Sequence, residues 1–197
     1  MDEDFKQLQH EMGVSFPHET TWSELWLYIS HLRKWSTKIN LISPGDVPLL
    51  ATKHLRQALM MVPIIMSLPH RVILDLGSGA GLPAIPLKIA LPNSHFILIE
   101  SRRKRANFLR EIVRSIGLHR IDVVNDRIEN WQGIDGGVDL VTARAVAAPD
   151  KMIEMVRDHL APQGWVLTPL REGATEGVDL TWRVQKDGFG TTLGLFH

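Results

Sequence analysis

The chain has 197 residues, 44% of them apolar and 22% charged, and its 22 basic side chains balance its 22 acidic ones. That length suits one compact unit with a sizeable core, and the neutral balance excludes a uniformly polycationic nucleic-acid binder. With no cysteine there is no disulfide, thiolate nucleophile or cysteine zinc site, and the nine histidines lack metal-ligand spacing, so no metal is expected. No apolar run approaches the roughly 20 residues of a membrane span. The start, Met1-Asp2-Glu3-Asp4-Phe5-Lys6, is too acidic and polar for a secretory signal. A cytoplasmic protein without a membrane partner is expected, and a monomer.

Residues 1 to about 70 read as a helical extension. Thr20 or Thr21 can cap a helix in which Trp22, Leu25, Trp26, Ile29, Leu32 and Trp35 recur at helical spacing, with Arg33 among them. Tryptophans on such a stripe read as packing anchors rather than base-stacking platforms. Ser43-Pro44-Gly45-Asp46 is a turn, and Pro48 to about Met66 reads as a further helix.

From Arg71 the pattern alternates. Strands are expected near 71–76, 96–100, 121–125, 138–143 and 164–170, and helices near 82–90, 103–116 and 149–160. That order implies a mostly parallel sheet covered on both faces. Near the end, Trp182 to Lys186 and Phe189 to Phe196 flank Asp187-Gly188, the signature of an antiparallel hairpin. The division is thus 1–70, helical, and 71–197, the sheet domain.

The densest signal is Val72-Ile73-Leu74-Asp75-Leu76-Gly77-Ser78-Gly79-Ala80-Gly81. A short β-branched run is a buried strand, and glycines let the backbone turn sharply and approach a ligand. Leu82 to Ala90 continues as a helix whose prolines fall in its first turn, where no N–H is missed. Strand, glycine turn and helix N-terminus make a site for a nucleotide-like cofactor. A second acidic residue is expected about 20 residues on, at the end of the next strand, for ribose hydroxyls, and His95-Phe96-Ile97-Leu98-Ile99-Glu100 supplies Glu100. A nicotinamide fingerprint places its glycines as G-x-G-x-x-G, usually with an apolar residue where Asp75 stands.

The spacing Asp-x-Gly-x-Gly-x-Gly resembles motif I of the class I S-adenosylmethionine methyltransferases. In that reading the Asp75 carboxylate serves the amino group of the methionine moiety, while the helix N-terminus faces its carboxylate. The fold class is then α/β: a class I S-adenosylmethionine-dependent methyltransferase (Rossmann-like) sheet, mostly parallel with a terminal antiparallel hairpin, plus the N-terminal helical extension. The bland alternative is a tight turn in some other α/β protein.

The basic cluster Arg102-Arg103-Lys104-Arg105, with Arg110, Arg114 and Arg120 beyond, reads equally as a solvated helix face or as a nucleic-acid-facing patch. The acceptor is constrained by what is absent. Without cysteine the covalent route of cytosine-C5 methylation is closed, and no Asn/Asp-Pro-Pro-aromatic clamp for exocyclic base amines occurs. After the fourth strand stands Asp139-Leu140-Val141-Thr142-Ala143-Arg144, whose arginine is no base at neutral pH. Such a site suits an acceptor that is already nucleophilic, of which guanine N7 is one.

Taken together, the chain is similar to the RsmG (GidB) family of guanine-N7 methyltransferases acting on 16S ribosomal RNA. The likeness runs from about Trp35 to Gly173. Trp35-Ser36-Thr37-Lys38-Ile39-Asn40-Leu41 resembles the family's Trp-Asn-x-x-x-Asn-Leu, and Leu74 to Leu87 its cofactor block. Glu100-Ser101 with Lys104-Arg105 and Phe108-Leu109, then Arg127-Ile128-Glu129, then Asp139 with Arg144-Ala145-Val146-Ala147, resemble its later blocks.

The resemblance implies S-adenosylmethionine as cofactor and small-subunit ribosomal RNA or a 30S particle as partner. It implies that Asp75, Gly77, Ser78, Gly79, Gly81 and Leu82 line the methionine part, with Glu100 at the ribose. Asp126, Arg127, Ile128 and Glu129 border the adenine. Arg144 faces the transferred methyl or the RNA as the catalytic residue. Arg103, Lys104, Arg105, Arg127 and Arg171 contact RNA. The bland alternatives are a surface ion pair for Arg127 and Glu129 and a structural role for Arg144. His54 reads as a packing or hydrogen-bonding histidine.

Three departures stand out. Gln57-Ala58 replaces the usual Asp-Ser after His54, Ala84 replaces a common glycine, and Leu170-Arg171-Glu172-Gly173 stands near a usual Leu-Lys-Gly. Alternative functions are a catalytically silent RNA- or ribosome-binding factor that keeps the cofactor pocket, a class I methyltransferase with another acceptor, and a nicotinamide oxidoreductase.

Overall fold

In the computed structural model, residues 1–12, 19–144, 147–170, 180–184 and 191–196 are described. Seven strands form one sheet: β1 (Val72–Leu76), β2 (His95–Ile99), β3 (Ile121–Val124), β4 (Val138–Ala143), β5 (Leu160–Leu170), β6 (Leu180–Val184) and β7 (Thr191–Phe196). Their order is β3-β2-β1-β4-β5-β7-β6. β1 to β5 run parallel, and β7 is antiparallel to both β5 and β6. The expected terminal antiparallel pair is present, while the Asp187-Gly188 turn lies outside the described residues.

Alternation along the strands explains why both faces are covered. Ile73, Phe96, Leu98, Leu140 and Leu167 point into one apolar layer, and their neighbours Leu74, Ile97, Ile99, Val141 and Val166 into the other. The first layer is closed by helices α1 (Glu3–Met12), α2 (Thr21–Ser36), α3 (Arg56–Met60), α4 (Val62–Met66), α5 (Ala84–Ala90) and α6 (Arg103–Ile116). The second is closed by α7 (Pro149–Val156), whose Met152 and Val156 are buried in it. The N-terminal helices therefore share one core with the sheet: Phe5, Leu25, Tyr28 and Leu32 belong to the same cluster as Ile73 and Phe96.

The tryptophans are packing anchors. Trp22 and Trp26 meet the buried Phe5 ring edge-on at 5.9 and 5.2 Å, and Trp35 meets Phe108 at 5.9 Å. The Arg33 guanidinium covers the ring of Trp26, and the Lys38 ammonium that of Trp35.

Four expected elements differ. The helix anticipated from Pro48 to Met66 is broken into a 3₁₀ turn (Pro44–Leu49), a π-helical turn (Leu50–Leu55), α3 and α4. Pro48 falls inside the 3₁₀ turn and Pro63 at the second position of α4, and neither has an N–H to continue an α-helical ladder. Helix α5 starts at Ala84 rather than Leu82, because Gly81 N–H turns back onto the Ser78 carbonyl at 2.7 Å and the helix begins only beyond that turn. Helix α7 ends at Val156 in a 3₁₀ turn (Arg157–His159), and β5 begins four residues earlier than expected. Its Pro162-Gln163-Gly164 is absorbed in a register shift against Val138 and Leu140.

Candidate active site

β1 lies between β2 and β4, so the chain changes direction across the sheet there, and the carboxyl ends of these strands open a crevice. Most of the site residues expected from sequence lie along that edge. Asp75 is the penultimate residue of β1, Glu100 follows β2, Asp126 and Arg127 follow β3, and Arg144 follows β4. Arg171 lies outside the described residues, as do Ala145 and Val146 of the block that follows Arg144.

The glycine loop is shaped by backbone demands. Gly79 sits at φ +55° and Gly81 at φ +85°. A Cβ on Gly81 would lie 2.6 Å from Ile85 Cγ1 and 3.1 Å from Leu109 Cδ2, so this glycine lets the loop press against α5 and α6. Ser78 closes the turn on both sides. Its N–H donates to the Ile99 carbonyl at 3.0 Å and its hydroxyl to the Asp75 carbonyl at 3.0 Å. Leu82 is buried under the loop, and Ala84, where the family commonly has glycine, is buried on ordinary helical backbone.

Asp75 is the electrostatic centre. Its side chain is 1% exposed, and Oδ1 accepts a 2.7 Å hydrogen bond from Thr142, its register partner on β4. Oδ2 is buried with no partner among the described residues. Burial is the main reason its pKa rises to about 6, opposed by the Thr142 and Ser78 hydroxyls and then by the nearby Arg144 cation. A buried carboxylate oxygen without a donor fits a ligand ammonium, as the sequence reading of Asp75 requires.

Glu100 is buried as well. Its carboxylate accepts the Gly79 N–H at 2.8 Å and the Arg102 N–H at 2.7 Å, so it ties the glycine loop to the start of α6. Beside it, a hollow of about 190 Å³ is bordered by Gly77, Ile99, Ser101, Asp126, Ile128 and Met155. Its apolar walls, Ile99, Ile128 and Met155, suit a flat ring. Asp126 accepts the Arg127 N–H at 2.7 Å and an Asn130 amide N–H at 2.8 Å, and these bonds hold its carboxyl below its usual range. Arg127 and Glu129 are exposed, and no ion pair joins them among the described residues.

Arg144 is partly buried and donates to His54 Nδ1 at 2.8 Å. Fully buried Tyr28 donates to the Ala80 carbonyl at 2.9 Å and lies within electrostatic reach of Arg144. The basic cluster divides by helical geometry. Arg103 and Lys104 are exposed on the first turn of α6, whereas Arg105 turns inward, donates to the Asn40 carbonyl at 2.9 Å and lies against the glycine loop.

Sequence reasoning missed Thr142, Tyr28, Ser101, Asn125 and Met155. Asn125 bridges two strand ends by donating to the Glu100 carbonyl at 2.8 Å and the Ser101 carbonyl at 3.1 Å. Thr142 had a faint signal in its position two residues before Arg144 on a strand beside β1. Tyr28 had none, since it sits within an ordinary apolar helix stripe. Among the described residues no group of metal-ligating side chains occurs, and no helix is long and apolar enough to cross a membrane.

The chain is similar to known proteins. Residues 21–176 match the family described as GidB, rRNA small subunit methyltransferase G. A ribosomal RNA small subunit methyltransferase G of Legionella pneumophila (strain Corby) is 32% identical over 184 residues, 92% of this chain and 86% of that protein. One from Acidothermus cellulolyticus is 37% identical over 170 residues, 86% and 71% of the two chains. A methyltransferase from Geobacter sulfurreducens has the same fold, with a TM-score of 0.62 at 14% identity over 100% of this chain and 96% of its own. With this family match over most of its length, the chain belongs to the GidB family, the small-subunit ribosomal RNA methyltransferases G.

Proposed function

We propose that the protein transfers a methyl group from S-adenosylmethionine to N7 of one guanine in small-subunit 16S ribosomal RNA. The observation that carries this reading is the unpartnered Oδ2 of buried Asp75, one residue from a glycine loop and beside Arg144. When bound, S-adenosylmethionine supplies an electrophilic methyl on a sulfonium, which guanine N7 attacks in line through a lone pair that needs no prior deprotonation.

The chain's own residues bind and orient. Asp75 Oδ2 takes the methionine ammonium, and ionised Asp75 is favoured once that cation arrives. Backbone N–H groups of the loop from Gly77 to Leu82 and the turn into α5 face the methionine carboxylate. Glu100 would take the ribose hydroxyls, its Oε2 already accepting the Gly79 N–H. The hollow edged by Asp126, Ile128 and Met155 takes the adenine, with Arg127 and Glu129 at its rim.

Arg144 is the catalytic residue: it sits at the methyl end beside Asp75 and orients the guanine through its O6 edge, a neighbouring group or a phosphate. Catalysis rests on positioning and electrostatics and uses no general base. Arg103, Lys104, Arg127 and Arg171 meet the RNA backbone, while Arg105 steadies the loop. The protein works in the cytoplasm as a monomer, with the 30S particle or its RNA as partner.

The test incubates purified protein with labelled S-adenosylmethionine and small subunits from a strain lacking this modification, then maps the label. Label on one guanine N7 is expected, and Arg144→Ala lowers it to a residual rate that only single-turnover assays resolve, while cofactor binding survives. Binding without transfer would overturn the reading in favour of a silent ribosome-binding factor, and label elsewhere in favour of another acceptor.

A further inference from the structure

The N-terminal region reaches the site through an unusual piece of backbone. His54 lies on the π-helical turn Leu50–Leu55, a conformation rare in proteins and frequent at functional sites. It is buried, and its Nδ1 lies 2.8 Å from Arg144 Nη1 across 90 residues of sequence. A guanidinium only donates, so Nδ1 accepts and the ring proton sits on Nε2. That Nε2 points toward Asp46, whose Oδ1 is 3.3 Å away but out of line for a hydrogen bond. Asp46 is itself fixed on the preceding 3₁₀ turn, accepting from the Ser43 hydroxyl at 2.7 Å and the Lys53 ammonium at 3.2 Å.

We propose that His54 is a positioning residue for methyl transfer: the chain Asp46–His54–Arg144 selects one imidazole tautomer and holds the Arg144 guanidinium at the methyl end of the site. This rests on the catalytic role assigned to Arg144 above. The groups around the imidazole agree. Arg144 and Lys53 are cations, Asp46 is the facing anion, and burial together with Arg144 pushes the His54 pKa down to about 4. The ring is therefore neutral at physiological pH and remains an acceptor. A free arginine side chain has many rotamers, and a single buried acceptor removes most of that freedom before substrate arrives.

The experiment measures kcat and KM of the full chain with unmodified small subunits, for His54→Leu, His54→Asn, Asp46→Ala, Arg144→Ala and His54→Leu/Arg144→Ala. Loss of the Nδ1 acceptor in His54→Leu lowers kcat about tenfold with KM for S-adenosylmethionine within about twofold. Asparagine places an oxygen near Nδ1, so His54→Asn recovers most of the loss. Asp46→Ala, at a half-buried position that tolerates truncation, costs about threefold in kcat and serves if His54→Leu does not fold. Adding His54→Leu to Arg144→Ala lowers single-turnover rates no further, because the histidine acts through the arginine. An unchanged kcat in His54→Leu and Asp46→Ala overturns the proposal, as does an equal loss in both Arg144 backgrounds. Unchanged turnover in Arg144→Ala instead removes the arginine's catalytic role and this proposal with it.

Discussion

The two ends of the sheet bury charged groups in opposite ways. At the amino end, Asp139 accepts the Val72 N–H at 2.8 Å, and Arg71 stands 3.7 Å from its other oxygen. Buried Lys88 donates to the Pro92 and Ser94 carbonyls at 2.7 and 2.6 Å. These groups have their partners: Asp139 closes the start of β1, and Lys88 ties the end of α5 to the start of β2. At the carboxyl end, Asp75 Oδ2 and His54 Nε2 are buried with no hydrogen bond. The larger hollow, about 820 Å³ lined by Arg71, Arg120 and Asp139, is at the amino end, while the hollow beside Glu100 is about 190 Å³. Two hydroxyls on α2, of Thr21 and Ser36, also lack partners, but the buried atoms of ionisable groups left without a hydrogen bond among the described residues are both at the carboxyl end, the feature there that fits a ligand.

The largest effect that tests this contrast is Asp75→Ala. Removing a charge-assisted contact to the cofactor ammonium weakens S-adenosylmethionine binding about 100-fold by calorimetry. Retained affinity would break the comparison, because the orphan oxygen would then be no ligand group.

The next is the dependence on pH. Only ionised Asp75 pairs with an ammonium, so cofactor affinity falls by up to about tenfold per unit as pH drops below about 6.

In the ligand-free protein the same site gives two opposed stability terms. Folded Asp75 holds its proton up to about pH 6, against 3.8 for an unperturbed aspartate, so its contribution falls by about 3 kcal/mol as pH rises from about 4 to 6. Folded His54 gives up its proton by about 4, against 6.5, so its contribution rises with pH over the window from 4 to 6.5. Thermal melts between pH 4 and 7 separate them. Asp75→Asn gains stability relative to the parent as pH rises, and His54→Leu loses it. Parallel curves for both variants would show that neither group titrates as its burial demands.

Two smaller effects sharpen the contrast. Lys88→Met strands the Pro92 and Ser94 carbonyls, costing about 2 kcal/mol in denaturant melts with kcat within about twofold. A collapse of kcat without loss of stability would move function to the amino end. Arg103→Glu with Lys104→Glu, on exposed positions at the carboxyl end, lowers affinity for ribosomal RNA several-fold and reduces the salt slope by about 2. Arg71→Glu with Arg120→Glu at the other end leaves binding nearly unchanged, and an equal loss there would mean that the RNA spans both ends.

What the sequence determined by itself is what neighbours along the chain dictate. The run Val72 to Leu76 is β-branched and apolar, the glycines that follow permit a left-handed turn, and the period-3.6 stripe Ala106, Phe108, Leu109, Ile112 makes α6 amphipathic. Asp75, Glu100 and Arg144 were legible as positions at the carboxyl ends of adjacent strands because each strand end is fixed by local pattern. The tertiary structure alone decided which polar atoms are left without partners, which arginine of the 102–105 cluster turns inward, and where Tyr28 and His54 arrive. Those outcomes depend on segments as distant as the 90 residues between His54 and Arg144. The helix expected from Pro48 to Met66 was misread for the same reason: helical spacing says where apolar side chains recur, whereas the π-helical turn is held by tertiary packing that buries His54 against Arg144. Propensity and periodicity act over a few residues, while burial and hydrogen-bond satisfaction are settled by whatever the fold brings alongside.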